Sequence, residues 1–145
     1  MDRLRVMLID ESQDRSAAVA GVLQSVECEV VACLSPGQDL LSQVVRYRPD
    51  VVIIDIDLPS RDTLESLRSV QASDPRPMVM FSQDDNGDTI RRAVQAGVSA
   101  YVVDGLQAQR VRPILEAAIA RFEQHRGLQA ELDRTRSALE DRKKI

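Results

Sequence analysis

The chain has 145 residues, 43% of them hydrophobic and 29% charged, with a net charge of -4; that is enough for one core without disulfide or metal support. Two Phe, two Tyr and no Trp make the core aliphatic, no run nears the roughly 18 apolar residues of a membrane span, and Met1 to Arg5 lacks a secretory signal's apolar stretch, so a cytoplasmic location is expected. Seven of the 19 basic and five of the 23 acidic side chains follow position 120, so an acidic body, whose sign opposes direct binding to a phosphate backbone, precedes a mildly basic tail.

In chain order, the apolar run Leu4 to Ile9 reads as a buried strand, and Ala17, Val19, Ala20, Leu23 and Val26 follow at helical spacing. A second run, Cys28 to Leu34, contains both cysteines. Five residues apart on a strand, their Cα atoms lie ~16 Å from each other, beyond disulfide reach. They read as reduced core thiols, because the only histidine, His125, is distant and no CxxC spacing exists. Leu40, Leu41, Val44 and Val45 mark a second helix, introduced by Pro36-Gly37 and ended by Pro49. Val51 to Asp55 is the third strand, and Leu64, Leu67 and Val70 mark the third helix, with Asp62 and Glu65 spaced as a capping box. Met78 to Ser82 is the fourth strand. The acidic loop Asp84 to Asp88 reads as a hydrated turn, lacking the twelve-residue ligand spacing and closing Glu of an EF-hand. Ile90, Ala93 and Val94 mark a fourth helix ended by Gly97. The strand Ala100 to Val103 and the helical run Val111 to Phe122 complete five repeats.

Strands that are apolar nearly throughout and alternate with helices indicate a parallel sheet covered on both faces. The expected fold is α/β and flavodoxin-like: a five-stranded parallel sheet in the order 2-1-3-4-5, five helices and a C-terminal helical extension. Residues 1–122 form the expected domain and 123–145 a charged helical linker. Leu128, Leu132, Thr135 and Leu139 are spaced as a short coiled-coil seam would be, but a solvated extension of the fifth helix fits equally. The ending Glu140 to Ile145 carries no helix terminator, and a second domain is expected to follow.

In such a sheet, ligands bind beyond the carboxyl ends of the strands, where strand order reverses. The first strand ends in Asp10-Glu11 and the third in Asp55, with Asp57 two residues on, so three or four acids are expected at one spot. Without a basic partner they repel at about 1 to 4 kcal/mol per close pair. A divalent cation resolves this: Mg2+ suits Glu11, Asp55 and a backbone carbonyl near Asp57. Asp55 is then placed as a nucleophile toward a phosphoryl donor.

The segments IDES, IIDIDLPSRD and FSQ resemble a bacterial response-regulator receiver (CheY-like) over about residues 3 to 122. The resemblance implies a signalling domain rather than an enzyme, with at most self-catalysed phosphoryl transfer and hydrolysis at Asp55. The Asp55-to-Pro59 spacing matches the family's phosphoacceptor-to-proline spacing, Asp10 and Glu11 match its acidic Mg2+-binding pair, and Ser82 and Tyr101 match its switch residues. One position departs: where the family has Lys at the end of the fifth strand, this chain has Asp104, then Gly105. The only lysines are Lys143 and Lys144. Asp104 either faces the site, at a cost of several kcal/mol about 4 Å from a phosphoryl dianion, or is a turn residue facing solvent.

The stretches PSRDTLESL, AGVSAYVVDGL and RVRPILEAAIARF are similar to a narrower group: antitermination regulators with a receiver and an RNA-binding ANTAR domain, nearest the nitrate- and nitrite-assimilation (NasT-like) group. This likeness implies a sensor kinase or sensor protein as partner, homodimerisation through the C-terminal helix, and RNA contact only through a domain beyond residue 145. A pseudo-receiver, governed by docking a sensor and never by phosphate, is the main alternative. Asp55-Ile-Asp57 also resembles the nucleophile motif of haloacid-dehalogenase-type phosphatases, but Pro59, the third-strand position and the missing lysine oppose that. The acidic loop after the first strand likewise opposes a flavin-binding module.

Overall fold

A computed structural model describes residues 3–143. Strands β1 (Leu4–Asp10), β2 (Cys28–Leu34), β3 (Val51–Asp55), β4 (Met78–Phe81) and β5 (Ala100–Val102) alternate with helices α1 (Gln13–Ser25), α2 (Leu40–Tyr47), α3 (Arg61–Ser73), α4 (Gly87–Gln95) and α5 (Ala108–Lys143). The strands form one sheet in the order β2-β1-β3-β4-β5, every pairing parallel. This is the expected flavodoxin-like, CheY-like topology.

The two-residue period of a strand sends alternate side chains to opposite faces. Met7, Ile9, Val52, Ile54, Met78 and Met80 face one side and pack under Leu40 and Val44 of α2, Leu64, Leu67 and Val70 of α3, and Ala93 of α4. Val6, Leu8, Val51, Ile53, Val79 and Phe81 face the other, under Val19 and Leu23 of α1 and Val111, Leu115 and Ala118 of α5. Both faces of β3 are therefore covered, and all five of its residues are buried. Asp55 thus ends a strand buried along its whole length, where a carboxylate is poorly solvated.

Three local expectations change. The α3 cap is Ser60, whose Oγ accepts the Thr63 amide hydrogen at 3.1 Å, so Asp62 sits inside the first turn and the Asp62/Glu65 capping box does not form. Cys28 is buried as a core thiol, but Cys33 is exposed. It lies on an edge strand, where an apolar run does not mark which side chains are covered. Val45 and Val94, counted among the apolar positions of α2 and α4, are more than half exposed. Beyond the body, α5 runs without a break through residue 122, with Leu128, Leu132 and Leu139 all more than half exposed. Among the described residues no helix is long and apolar enough to cross a membrane.

Candidate functional site

Parallel pairing sets Asp10 directly beside Asp55 at the carboxyl ends of β1 and β3. Both are buried, at 4% and 8% exposure. Asp10 Oδ1 accepts the Ser12 amide hydrogen at 3.1 Å, while its Oδ2 is buried with no hydrogen-bond partner among the described residues. Burial raises the pKa of Asp10, the Ser12 amide opposes that shift, and the Asp55 charge adds to it. Of the other expected acids, Asp57 stands half exposed at the mouth of the site, and Glu11 is exposed with no hydrogen bond or ion pair among the described residues. Among the described residues no three Asp, Glu, His or Cys side chains converge as a metal-holding group.

The expectation that these carboxylates lack a basic partner is corrected by Arg15. Its Nε donates to Asp55 Oδ2 at 3.2 Å and its Nη2 to Asp55 Oδ1 at 2.9 Å, so both carboxylate oxygens are held in a fork. Nη1 reaches Asp57 Oδ2 at 3.3 Å, and Nε lies 3.7 Å from Asp10 Oδ1. The hydrogen bonds it donates to Asp55 and Asp57, the first the larger effect, raise the guanidinium's pKa. The local sequence explains the reach. Ser12 caps α1 by accepting the Arg15 amide hydrogen, which makes Arg15 the third residue of the helix. A helical side chain leans back toward the N-terminus, here over the strand ends. A cation there opposes the helix dipole, and the three carboxylates offset that cost.

The expected switch residues join one network. Ser82, 2% exposed, donates from Oγ to the Asp57 carbonyl at 2.7 Å and accepts the Asp84 amide hydrogen at 3.1 Å. Tyr101 Oη donates to the Asp84 carbonyl at 2.6 Å. The loop between β4 and α4 is thereby tied to β5 on one side and to the Asp57 carbonyl on the other. Within it, Asp84 accepts from the Asn86 amide and the Thr89 hydroxyl, which lower its pKa in that order. Asp104 is exposed and makes no hydrogen bond or ion pair among the described residues.

Mg2+ is the cation the fold family implies, and the donor set fits it. Three carboxylates against one guanidinium leave two negative charges uncompensated. The orphaned Asp10 Oδ2 is a buried oxygen without a donor, and Mg2+ needs only one or two protein carboxylates because it keeps several waters.

Residues 6–116 match the family model described as "Response regulator receiver domain". The chain is 26% identical over 141 residues to the transcriptional regulatory protein PdtaR of Mycobacterium tuberculosis, covering 97% of this chain and 69% of that protein. It is 28% identical over 116 residues to the chemotaxis protein CheY of Listeria monocytogenes, covering 79% and 98%. The signal receiver domain of a modulated diguanylate cyclase from Desulfovibrio desulfuricans superposes with a TM-score of 0.72 at 20% identity, over 86% of this chain and 99% of that one.

Proposed function

The chain belongs to the response regulator receiver domain family, and from that membership we propose that it takes a phosphoryl group on Asp55 in response to a sensor kinase or sensor protein. The observation that carries this reading is the position of Asp55: buried on the central strand, beside Asp10, and joined through the Asp57 carbonyl to Ser82. Asp10, Asp55 and the Asp57 carbonyl would hold Mg2+, with Glu11 at the rim, and the bound ion would neutralise charge on the transferred group. The chain's own residues do the rest. Asp55 supplies the attacking carboxylate oxygen, burial keeps bulk water from the carboxylate, and Ser82 stands beside it with its hydroxyl on the Asp57 carbonyl. A shift of Ser82 off the Asp57 carbonyl releases the Asp84 amide as well, so the loop before α4 and Tyr101 moves with it.

The output we propose is RNA-directed: an ANTAR-type domain beyond residue 145 acting in antitermination, in nitrate and nitrite assimilation. The similarity of PSRDTLESL, AGVSAYVVDGL and RVRPILEAAIARF to that group supports it. Leu128, Leu132 and Leu139 of α5 lie exposed at coiled-coil spacing, which supports homodimerisation through that helix. Control by sensor docking without phosphate is the second reading, favoured by the Arg15 fork on both Asp55 oxygens. Incubation with acetyl phosphate and Mg2+, read by intact mass, decides between them. A one-phosphoryl mass gain in the wild type, absent from Asp55→Asn, is expected; no gain at millimolar donor selects docking.

A further inference from the structure

We propose that Arg15 is a gate on the acceptor site, a tethered cation that competes with a divalent cation for Asp55 and must swing away before that carboxylate is available. The proposal rests on the phosphoacceptor reading of Asp55. Its basis is the geometry of one side chain. Each oxygen of Asp55 already accepts a hydrogen bond from the guanidinium, and Arg15 Nη2 also reaches the Asp55 backbone carbonyl at 3.3 Å. A second cation at Asp55 would meet the guanidinium at contact distance, where like charges repel strongly. One of the two has to leave.

Arg15 is built to be the one that leaves. Its side chain is 37% exposed, and its outermost partner, Asp57, is 49% exposed, so the path outward crosses no packed core. Asp10 Oδ2, in contrast, is buried and receives nothing from the guanidinium. That oxygen offers an entering cation a first contact that Arg15 does not contest. Once displaced, the guanidinium stays on the first turn of α1, within its own reach of the site, and its fork matches phosphoryl oxygens as well as carboxylate oxygens. The same residue then has two positions: closed on Asp55 in the resting chain, and open when the carboxylate is engaged elsewhere. This supplies a cation at the site in a chain with no lysine before position 143.

Calorimetric titration of Mg2+ and of Mn2+ into metal-free wild type, Arg15→Gln and Arg15→Lys tests the competition without any phosphodonor. Arg15→Gln is expected to bind either ion about tenfold more tightly or better, equivalent to about 1.4 kcal/mol. Arg15→Lys should fall between, because an ammonium cannot fork both oxygens. In parallel, the Arg15 Nε–H proton resonance should be protected in the metal-free wild type, lost on adding Mg2+, and absent without metal in Asp55→Asn. Equal or weaker ion binding by Arg15→Gln overturns the gate and leaves the Asp55 phosphoacceptor reading intact. Absence of ion binding in all three proteins overturns both the gate and the Mg2+ assignment. Thermal melts of each variant establish that it is folded, and the wild-type Nε–H resonance answers the question even where a variant is not.

Discussion

Replacing Asp10 with Asn should stabilise the metal-free protein at neutral pH. Asp10 is 4% exposed, one of its oxygens has no partner, and Asp55 is its neighbour in register. At the ~5 Å between adjacent strands, two carboxylates repel by about 3 kcal/mol at an effective dielectric near 20. The variant also gives up the ion pair with Arg15, which is long at 3.7 Å and partly solvated, so its removal returns about 1 to 2 kcal/mol of that at most. A net gain of about 1 to 2 kcal/mol follows, or roughly 3 to 8 °C in Tm for a domain of this size. The pH dependence has a definite sign. A carboxyl whose pKa is raised on folding is penalised once ionised, so the penalty is present above its folded pKa, shrinks as pH falls through it, and is gone below the ordinary value of 3.8. Melts followed by far-UV circular dichroism, in chelator at pH 7.5 and at steps down to pH 4, read both quantities. A lower Tm for Asp10→Asn at pH 7.5, or a gain that grows toward acid, would refute the reasoning.

Three further outcomes follow from the same geometry. Tyr101→Phe removes the 2.6 Å bond to the Asp84 carbonyl, worth about 0.5 to 1.5 kcal/mol, and amide exchange in the Asp84 to Gly87 loop should speed up by that amount; unchanged exchange means the hydroxyl does not hold the loop. Gly97→Ala forces φ +110° on a residue with a side chain and drives its Cβ against Gln71, so urea unfolding should show a loss of about 1 to 3 kcal/mol; a neutral effect contradicts the strained turn after α4. Asp84 has its pKa held below the ordinary 3.8 by the Asn86 amide and then by the Thr89 hydroxyl, so its contribution persists above that value and is lost as pH falls through the lower folded pKa; an Asn86 amide shift titrating at or above 3.8 speaks against it.

The sheet is readable in the sequence because each strand is apolar almost end to end, and a strand buried on both faces can be little else. The position of Asp55 follows directly, as the polar residue that ends the third run. The edge is less readable: β2 is covered less evenly than β3, and nothing in Cys28 to Leu34 distinguishes the buried Cys28 from the exposed Cys33. The start of α3 is ambiguous for a local reason, since Ser60 and Asp62 are both good cap residues two positions apart, and only the backbone path selects the first. Arg15 escapes a reading of the sequence because its partners lie 40 and 42 positions away. A signal does exist. Ser12 is a strong N-cap two residues after the strand-end Asp10, which makes Arg15 the third helical residue, the position whose side chain leans back over the strand ends.

Asp55 as the residue that carries phosphate is the central claim, and the most direct measurement is chemical trapping. The chain is treated with acetyl phosphate and Mg2+, reduced with borohydride, which converts an acyl phosphate to the corresponding alcohol, and mapped by peptide mass spectrometry. Reduction confined to position 55, and abolished in Asp55→Asn, is the predicted result. Reduction at Asp10, Asp57 or Asp84 instead, or at no position, would contradict it.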